Sequence, residues 1–308
     1  MKGLVMRSTG AFYELQATEG KIYTGRLRGK FKQDGGLKSS NPIAVGDYVE
    51  FEIEDTAQKM VIINQIIPRE NYLIRQSTHK KTDAHIIAAN IDQALLIATL
   101  VMPRTSLGFI DRFLVSAEAF RIPAVVVFNK KDLLGQEGLD FQQELIEMYE
   151  KIGYAAYAIS AFDVADIKKL NELLEGKKTL VSGHSGVGKS TIVNQIAPNL
   201  LLATNDISDS SLKGKHTTTF AEMFEIRPNT YLIDTPGIKE LGLMNMESEE
   251  INHFFPEMRS LFGQCKYYNC THQHEPNCAI IRAVESGEIA QSRYESYLSM
   301  VLGEDNRR

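Results

Sequence analysis

Residues 177–197 read KKTLVSGHSGVGKSTIVNQIA, and this stretch decides the fold of the central part of the chain. The segment GHSGVGKS (183–190) fits the pattern G-x-x-x-x-G-K-[ST], whose backbone N–H groups curl around phosphate oxygens. The apolar run before it predicts a short buried strand, and residues 190–197 predict the start of a helix, whose N-terminus favours an anion. Lys189 adds a positive charge, and the Ser190 hydroxyl suits a magnesium ion. The sequence therefore predicts a phosphate-binding loop between a strand and a helix.

The residues expected to contact the bound nucleotide at this loop are consecutive. They are Gly183, His184, Ser185, Gly186, Val187, Gly188, Lys189, Ser190 and Thr191.

A second apolar run, TYLID (230–234), leads into the motif DTPG (234–237). An acidic residue at the end of a strand beside a phosphate loop suits indirect magnesium binding through water, which we expect of Asp234. Gly237 can present its backbone N–H to a terminal phosphate. The motif lies on a different strand from the phosphate loop, so both can serve one nucleotide.

A switch segment is expected between these two motifs, where KGKHTTTF (213–220) stands. Nucleotide switches use a threonine that binds magnesium only while the terminal phosphate is present. The spacing leaves Thr217, Thr218 and Thr219 open as this ligand, and we favour Thr218. A β-branched strand start is the alternative interpretation of the same residues.

The motif NKKD (129–132) follows the apolar run AVVVF (124–128). Guanine presents a ring N–H and an exocyclic amine on one edge, and a carboxylate such as Asp132 accepts both hydrogen bonds. Adenine offers neither donor there, and the unpaired polar site can discriminate by about 10⁴-fold. Ser160 and Ala161, which follow the next predicted strand, supply a second base contact through a backbone N–H. The residues expected at the base are Asn129, Lys130, Lys131, Asp132, Ser160 and Ala161.

The order of these motifs is unusual. In most guanine-nucleotide hydrolases the phosphate loop comes first and NKxD last, whereas here NKKD precedes the phosphate loop and no second NKxD follows it. If all the motifs serve one nucleotide, the sheet is circularly permuted. Such reopening of the chain is possible because domain termini often lie close together.

This order of motifs, NKKD, Ser-Ala, GHSGVGKS, HTTT and DTPG, resembles the RsgA (YjeQ/YloQ) family of circularly permuted GTPases. The resemblance extends over nearly the whole chain. It implies an OB-fold RNA-binding domain, a permuted α/β GTPase domain and a mostly helical zinc-binding domain, for which we expect the ranges 1–70, 71–243 and 244–308. It also implies binding to the small (30S) ribosomal subunit and its rRNA late in maturation. GTP hydrolysis to GDP and phosphate is then slow alone and stimulated by the subunit.

The residue after DTPG is Ile238, where small GTPases commonly carry a glutamine that orients water. An isoleucine cannot orient water, so we expect slow intrinsic hydrolysis. His216 is the nearest polar candidate within the switch, and a solvent-exposed loop histidine is the alternative. The expected catalytic group is therefore Lys189, Thr218, Gly237 and His216.

All three cysteines lie in CKYYNCTHQHEPNC (265–278). Three thiols and one imidazole at this spacing predict a tetrahedral zinc site, and four protein ligands predict a structural role. His274 rivals His272 as the fourth ligand, and the family resemblance favours His272. The predicted ligands are Cys265, Cys270, His272 and Cys278.

Charge is distributed unevenly along the 308 residues. The first 81 hold 13 Lys and Arg against 9 Asp and Glu, and the remainder 21 against 30. On a small β-barrel, a basic stripe interleaved with Tyr23 and Phe31 suits RNA. Charge alone slightly favours a solvated charged face, and the fold and the family resemblance move the balance toward RNA. The predicted RNA contacts are Lys21, Arg26, Arg28, Lys30 and Lys32.

Composition places the chain among ordinary soluble proteins, with 43% apolar and 24% charged residues. The longest apolar region (85–103) is interrupted by polar residues, and the N-terminus lacks a signal-peptide core, so we expect a cytoplasmic protein without a membrane partner. The sequence shows no heptad pattern or large apolar face, so we expect a monomer. Three alternatives stay open: a kinase or ATPase with a phosphate loop, an RNA-binding scaffold independent of nucleotide, and a GTP-dependent RNA-binding switch with a non-ribosomal partner.

Overall fold

The computed structural model describes residues 1–28, 42–76, 84–200, 221–234 and 246–303. They form two compact units. The first is built from the described parts of 1–94, 169–181 and 193–238, and the second from those of 95–168, 182–192 and 239–308. Each unit thus combines segments that are distant in the sequence.

The N-terminal part of the first unit is a closed five-stranded barrel. Around the barrel the strands follow the order β1, β2, β3, β5, β4, and β4 pairs again with β1. This confirms the predicted OB-like barrel, whose core is formed by inward-facing apolar residues such as Val5, Leu15 and Phe51. The strands are β1 (Lys2–Ser8), β2 (Tyr13–Ala17), β3 (Ile22–Leu27), β4 (Tyr48–Asp55) and β5 (Met60–Ile66).

Two details of the barrel differ from the sequence-based expectation. The short alternating runs of residues 1–70, separated by turn signals, predict an antiparallel barrel, whereas β3 and β5 pair in parallel to close it. Tyr23 is buried in the barrel core, with its ring 5.6 Å from that of Phe51, and does not lie on an outer face. The reason is strand alternation, which turns Tyr23 inward and its neighbours Ile22 and Thr24 outward.

The rest of the first unit contains further strands, together with the C-terminal parts of two helices. The sheet of β11 (Lys178–Ser182), β12 (Glu222–Arg227) and β13 (Thr230–Asp234) has β13 in the middle, parallel to β11 and antiparallel to β12. A separate antiparallel pair joins β6 (Tyr72–Gln76) to β7 (Ala84–Ala89). The two strands predicted around the phosphate loop and DTPG are therefore neighbours.

The second unit alternates strands and helices, as the sequence predicts. Strand β9 (Ala124–Phe128) lies between β8 (Gln93–Ala98) and β10 (Ala155–Ala158), and β9 and β10 are parallel. Helix α1 (Leu107–Ala119) begins at Ser106, whose Oγ accepts a hydrogen bond from the Phe109 N–H as an N-cap. The remaining helices of this part of the chain are α2 (Gln136–Lys151), α3 (Val164–Leu174) and α4 (Lys189–Ile196).

The pattern of residues 282–301 predicts an amphipathic C-terminal helical region, and the structure has two helices there. These are α6 (Ala279–Glu285) and α7 (Gln291–Val301), which follow a 3-10 helix (Ser248–Phe254) and the short α5 (Pro256–Arg259). The chain leaves α6 through Gly287, whose φ of +77° suits glycine. Within the described ranges, no helix is both long enough and apolar enough to cross a bilayer.

A buried ion network joins the C-terminal helices to α1. The Arg293 side chain is 1% exposed and donates to Asp111 Oδ1 at 2.7 Å and to Glu257 Oε1 at 2.7 Å. The Tyr149 hydroxyl donates to the same Asp111 oxygen at 2.9 Å. Burial disfavours the Arg293 charge, but the two carboxylates raise its pKa well above the usual range. One guanidinium thus links α7, α1 and α5.

Candidate functional site

The phosphate loop has a backbone that requires glycine. Gly183, Gly186 and Gly188 have φ values of +144°, +84° and +96°, where other residues are strained. Helix α4 begins directly after them at Lys189, whose ammonium donates to the carbonyls of Gly183 at 2.7 Å and His184 at 2.6 Å. The loop is therefore curled, and the lysine is held against its first residues.

Close packing sets a second requirement for glycine. A Cβ on Gly188 would lie 2.4 Å from Asn129 Nδ2, and a Cβ on Gly183 would lie 2.3 Å from the Ile97 carbonyl oxygen. Both distances are shorter than real Cβ contacts allow. The glycines thus let the loop approach β8 and the NKKD motif.

Asn129 connects the three sequence motifs of this site. Its Nδ2 donates to the Val187 carbonyl at 2.9 Å, and its Oδ1 accepts the Ala161 N–H at 3.1 Å. The residue is 3% exposed, so both bonds are shielded from water. Motifs that are 58 residues apart along the chain therefore meet through one amide side chain.

The other three residues of NKKD have different surroundings. Lys130 has a φ of +66°, and its ammonium donates to the carbonyls of Gly186, at 2.7 Å, and Met102. Asp132 is exposed in a one-turn 3-10 helix (Lys131–Leu133). Lys131 is directed elsewhere, since its Nζ lies 2.6 Å from Asp166 Oδ2.

Two residues of this region were missed by sequence reasoning. The Phe109 ring packs 3.8 Å, centroid to centroid, from the His184 ring of the phosphate loop. Asp166 Oδ2 accepts the Ser160 N–H at 2.8 Å in addition to the Lys131 ammonium. Neither residue stands in a motif. Each residue lies in the first turn of a helix, and the sequence offers no other signal for its role.

The predicted magnesium-binding residues are only partly described. Ser190 is exposed in the first turn of α4, and Thr191 beside it is half-buried. Asp234 is the exposed last residue of β13, directly after Ile233, which pairs with Leu180 of β11. The remaining predicted residues of the switch and catalytic group lie outside the described residues: Thr217, Thr218, Thr219, His216, Gly237 and Ile238.

The C-terminal cluster has the geometry of a metal centre. One ligand atom from each of its four residues lies within 4.8 Å of the others. Cys265 Sγ is 3.9 Å from Cys278 Sγ, and His272 Nδ1 is 3.7 Å and 3.3 Å from these two sulfurs. Tetrahedral zinc with Zn–S bonds of about 2.3 Å requires sulfurs about 3.8 Å apart. The donor set Cys265, Cys270, His272 and Cys278 therefore fits zinc, and the exposed His274 is not part of it.

The loop that carries His272 is fixed by hydrogen bonds. The hydroxyls of Tyr294 and Tyr297 donate to the carbonyls of His272, at 2.6 Å, and Thr271, at 2.9 Å. Burial disfavours ionisation of Glu275, but bonds from the Thr271 hydroxyl and from nearby backbone N–H groups lower its pKa to about 2. The loop conformation is thus maintained by groups outside the ligand set.

Burial shifts the ligands themselves toward their neutral forms. It raises the pKa of Cys270 to about 12, raises that of Cys278, and lowers that of His272. Neutral thiols turned toward one another are poorly satisfied, since a thiol is a weak hydrogen-bonding group. A cation at the centre favours the thiolate form instead.

Asn252 stands behind the imidazole. Its Nδ2 lies 3.1 Å from His272 Nε2, and its buried Oδ1 has no hydrogen-bond partner among the described residues. If Nδ1 of His272 binds a metal, Nε2 carries the proton and needs an acceptor. Half a turn of the amide places Oδ1 there, which gives the orphaned oxygen its partner.

The barrel residues predicted to contact RNA are exposed where the structure describes them. Lys21, Arg26 and Arg28 lie on or beside β3. The Arg26 guanidinium forms a bidentate pair with Glu54, which neutralises part of the predicted basic stripe. Lys30, Phe31 and Lys32 lie outside the described residues.

Comparison with known families decides between the possible readings of this site. The model described as RsgA GTPase matches residues 66–244, and the model of the RsgA N-terminal domain matches residues 2–61. The chain belongs to the RsgA GTPase family. The resemblance found in the motifs is thereby confirmed.

Relatives cover the chain from end to end. It is 50% identical over 308 residues to a Cytophaga hutchinsonii protein named small ribosomal subunit biogenesis GTPase RsgA, with 100% of each protein covered. A Flavobacterium johnsoniae protein of the same name is 47% identical, with 99% of this chain and 94% of that protein covered.

Solved structures show the same architecture. YjeQ from Thermotoga maritima superposes with a TM-score of 0.79 at 34% identity, covering 100% of this chain and 99% of that one. YloQ, described as a circularly permuted GTPase, gives a TM-score of 0.77 at 30% identity, covering 100% and 96%. As a member of the RsgA family, the chain is a GTP hydrolase with a circularly permuted domain, an N-terminal OB-like barrel and a C-terminal Cys/His cluster.

Proposed function

We propose that the chain binds the small ribosomal subunit and hydrolyses GTP to GDP and phosphate late in maturation of that subunit. The Asn129 bridge carries the proposal, because it brings a base-reading motif and a phosphate loop into one site. The names of relatives that cover the whole chain support the ribosomal partner. The alternative function, a GTP-dependent switch with a non-ribosomal RNA partner, is not favoured by the names of these relatives.

The guanine base is bound by the NKKD and Ser-Ala loops in this proposal. The exposed Asp132 carboxylate accepts the ring N–H and the exocyclic amine, and the Ala161 N–H exchanges Asn129 Oδ1 for the carbonyl of the base when the nucleotide binds. Asn129 keeps its bond to the Val187 carbonyl and so holds the NKKD loop against the phosphate loop. The Lys130 stem, held by its ammonium at Gly186, flanks the ring. Guanine is selected because adenine leaves Asp132 unpaired.

The triphosphate lies in the curled loop 183–188, with Lys189 and Thr191 beside it. When the nucleotide binds, the Lys189 ammonium exchanges its two carbonyl partners for phosphate oxygens. Magnesium neutralises phosphate charge, and its proposed ligands are Ser190 and Thr218, with Asp234 acting through water. Gly237 donates its N–H to the terminal phosphate.

Hydrolysis by the isolated chain is slow in this proposal, because Ile238 cannot orient water. His216 is the proposed polar group of the switch that assists hydrolysis on the subunit. Stimulation by the subunit then reflects completion of the active site by its partner.

One structural zinc ion is the proposed occupant of the C-terminal cluster. Four donors at tetrahedral spacing support it, and they leave no open coordination position for chemistry. Zinc would cross-link the loop at Cys265 to the start of α6 at Cys278.

The proposed organisation has an RNA-binding barrel at 1–70, the GTPase domain at 71–243 and the zinc-binding domain at 244–308. The exposed Lys21, Arg26 and Arg28, with Lys30 and Lys32, supply the rRNA contacts. A role on the small subunit requires a cytoplasmic protein. We expect it to act as a monomer without a membrane partner.

The deciding experiment measures GTP turnover by the full-length chain alone, with purified small subunits, and with large subunits. The proposal expects stimulation by small subunits only, and none in a Lys189→Ala variant. Guanine-specific turnover that is indifferent to small subunits would favour another partner. Absence of turnover under every condition would refute the enzymatic proposal.

A further inference from the structure

Asp166 is a buried carboxylate beside the base-reading loops that belongs to none of the nucleotide motifs. It lies in the first turn of α3 with its side chain 6% exposed. A single oxygen, Oδ2, accepts the Ser160 N–H at 2.8 Å and the Lys131 ammonium at 2.6 Å. A shielded carboxylate with these two partners is strongly held, since hydrogen bonds to charged groups are shorter and stronger than neutral ones.

The position of Asp166 is set by the chain around it. Asp163 Oδ1 accepts the N–H groups of Ala165 at 2.8 Å and Asp166 at 3.2 Å, and so caps the start of α3. The Asp163 N–H in turn donates to the Ser160 carbonyl at 3.0 Å. The carboxylate is therefore presented by a rigid turn and not by a mobile loop.

The two partners of Asp166 come from the two loops that read the base. Lys131 lies between Lys130 and Asp132 in NKKD, and Ser160 immediately precedes Ala161. Asn129 already joins these loops through the Ala161 N–H. Asp166 joins them a second time through different residues, and this tie leaves the Ala161 N–H free to turn to guanine while it fixes the spacing of the two loops.

We propose that Asp166 is a positioning residue for guanine recognition, which it serves through its bonds to Lys131 and Ser160. This inference rests on the proposed function, in which the site binds a guanine nucleotide. It gives Lys131 the role of an anchor for the NKKD loop. Discrimination between guanine and adenine depends on the spacing of Asp132 and Ala161, and Asp166 maintains that spacing.

The chemistry of substitution separates the two bonds. Asp166→Asn retains an acceptor for the Ser160 N–H but loses the attraction for Lys131, whereas Asp166→Ala also leaves that N–H without its acceptor. We expect GDP to bind roughly 10-fold more weakly to Asp166→Asn and roughly 100-fold more weakly to Asp166→Ala. The affinity for ADP, which uses the phosphate loop alone, stays unchanged.

The experiment measures dissociation constants for GDP and ADP with the full-length chain by competition against a fluorescent guanine nucleotide. The variants are Asp166→Asn, Asp166→Ala, Lys131→Met and the double variant Asp166→Asn/Lys131→Met. Glu172→Ala, an exposed acidic residue of the same helix, is the matched control. The proposal expects a reduced preference for GDP over ADP, a raised KM for GTP with unchanged kcat, and no further loss in the double variant relative to Asp166→Asn.

Two results would overturn the proposal. One is an unchanged preference for GDP in both Asp166 variants. The other is an equal fall in GDP and ADP affinity, which indicates general damage to the fold. If the unaltered chain does not bind GDP more tightly than ADP, the proposed function as a GTPase is wrong. This outcome differs from the other two, which concern only the Asp166 variants.

Discussion

The nucleotide site and the Cys/His cluster belong to the same unit, but their polar groups are satisfied in different ways. In the nucleotide site, Lys189 and Asn129 are bonded to carbonyl and N–H groups of the protein itself. In the cluster, burial raises the pKa of the Cys270 and Cys278 thiols, which face one another. The polar groups of the first site are thus paired within the protein, whereas the second presents four donor atoms to a cation.

The two regions share a support. Helix α1 contacts the phosphate loop because the Phe109 ring packs against the His184 ring. Two residues further along the same helix, Asp111 accepts a hydrogen bond from Arg293 of α7. Val115 of the same helix packs in the apolar cluster that contains Cys278. Perturbing α1 should therefore affect both regions, and perturbing either ligand set should affect one.

The largest expected effect is loss of the metal. Cys278→Ser should abolish binding of one zinc per chain and remove protection of α6 and α7 from hydrogen exchange, because metal-linked folding energy is on the order of 10 kcal/mol. GDP affinity should stay close to that of the unaltered chain. The zinc content of the purified protein measures the loss of metal, and hydrogen-exchange mass spectrometry measures the protection of α6 and α7.

The control for this change is His274→Ala, which removes an exposed imidazole near the cluster. It should keep its zinc. Retained protection of α6 and α7 in Cys278→Ser would show that the cluster holds itself without metal.

Next in size is the shared support. Arg293→Met leaves the Asp111 carboxylate buried without its cation, and loss of one partner from a buried pair costs about 3–5 kcal/mol. We expect the free energy of unfolding, measured by circular dichroism in a urea titration, to fall by this amount. The affinities for GDP and for zinc should both decrease.

Arg282→Met, an exposed change on α6, should alter the free energy of unfolding by less than about 0.5 kcal/mol. Adding Asp111→Asn to Arg293→Met should restore part of the loss. If Arg293→Met lowers the free energy of unfolding no more than Arg282→Met does, the buried ion network does not stabilise the fold.

Third is the phosphate loop. Lys189→Ala should lower kcat for GTP by about 100-fold or more, because one donor aimed at developing charge contributes about 2.7–4 kcal/mol. Zinc content and the unfolding midpoint should not change. Lys169→Ala on α3 is the exposed control, and equal turnover in the two variants would contradict the assignment.

The smallest expected effect concerns Asn252. Asn252→Leu removes the acceptor proposed for His272 Nε2–H and should weaken zinc binding by about 10- to 100-fold. Competition with a chromophoric chelator measures this, with the exposed Asn269→Leu as the matched control. Affinity equal to that of the control would show that the amide does not orient the imidazole.

Local sequence patterns predict the strands of the GTPase domain well. The runs AVVVF and TYLID coincide with β9 (Ala124–Phe128) and β13 (Thr230–Asp234), because each is a short apolar segment ended by polar or turn residues. The pattern at 282–301 predicts a helical region, and Ser286 and Gly287 mark the break between α6 and α7 within it. The parallel β3–β5 pair depends on barrel closure, which no local pattern encodes.

The site shows the same division. Motifs identify Lys189, Asn129 and the cysteines because loop chemistry fixes their spacing along the chain. The contacts of Phe109 and Asp166 arise only when distant segments pack together. The alternation of side chains along β3 turns Tyr23 into the barrel core. The prediction of a basic stripe interleaved with Tyr23 did not take this alternation into account.

The most direct measurement is a crystal structure of the full-length chain with GDP. The account predicts the guanine ring N–H and exocyclic amine within about 2.7–3.2 Å of the Asp132 carboxylate, with Lys189 on the β-phosphate of the same molecule. A base bound away from Asp132, with the phosphates still in the loop, would contradict the claim that the two motifs hold one nucleotide.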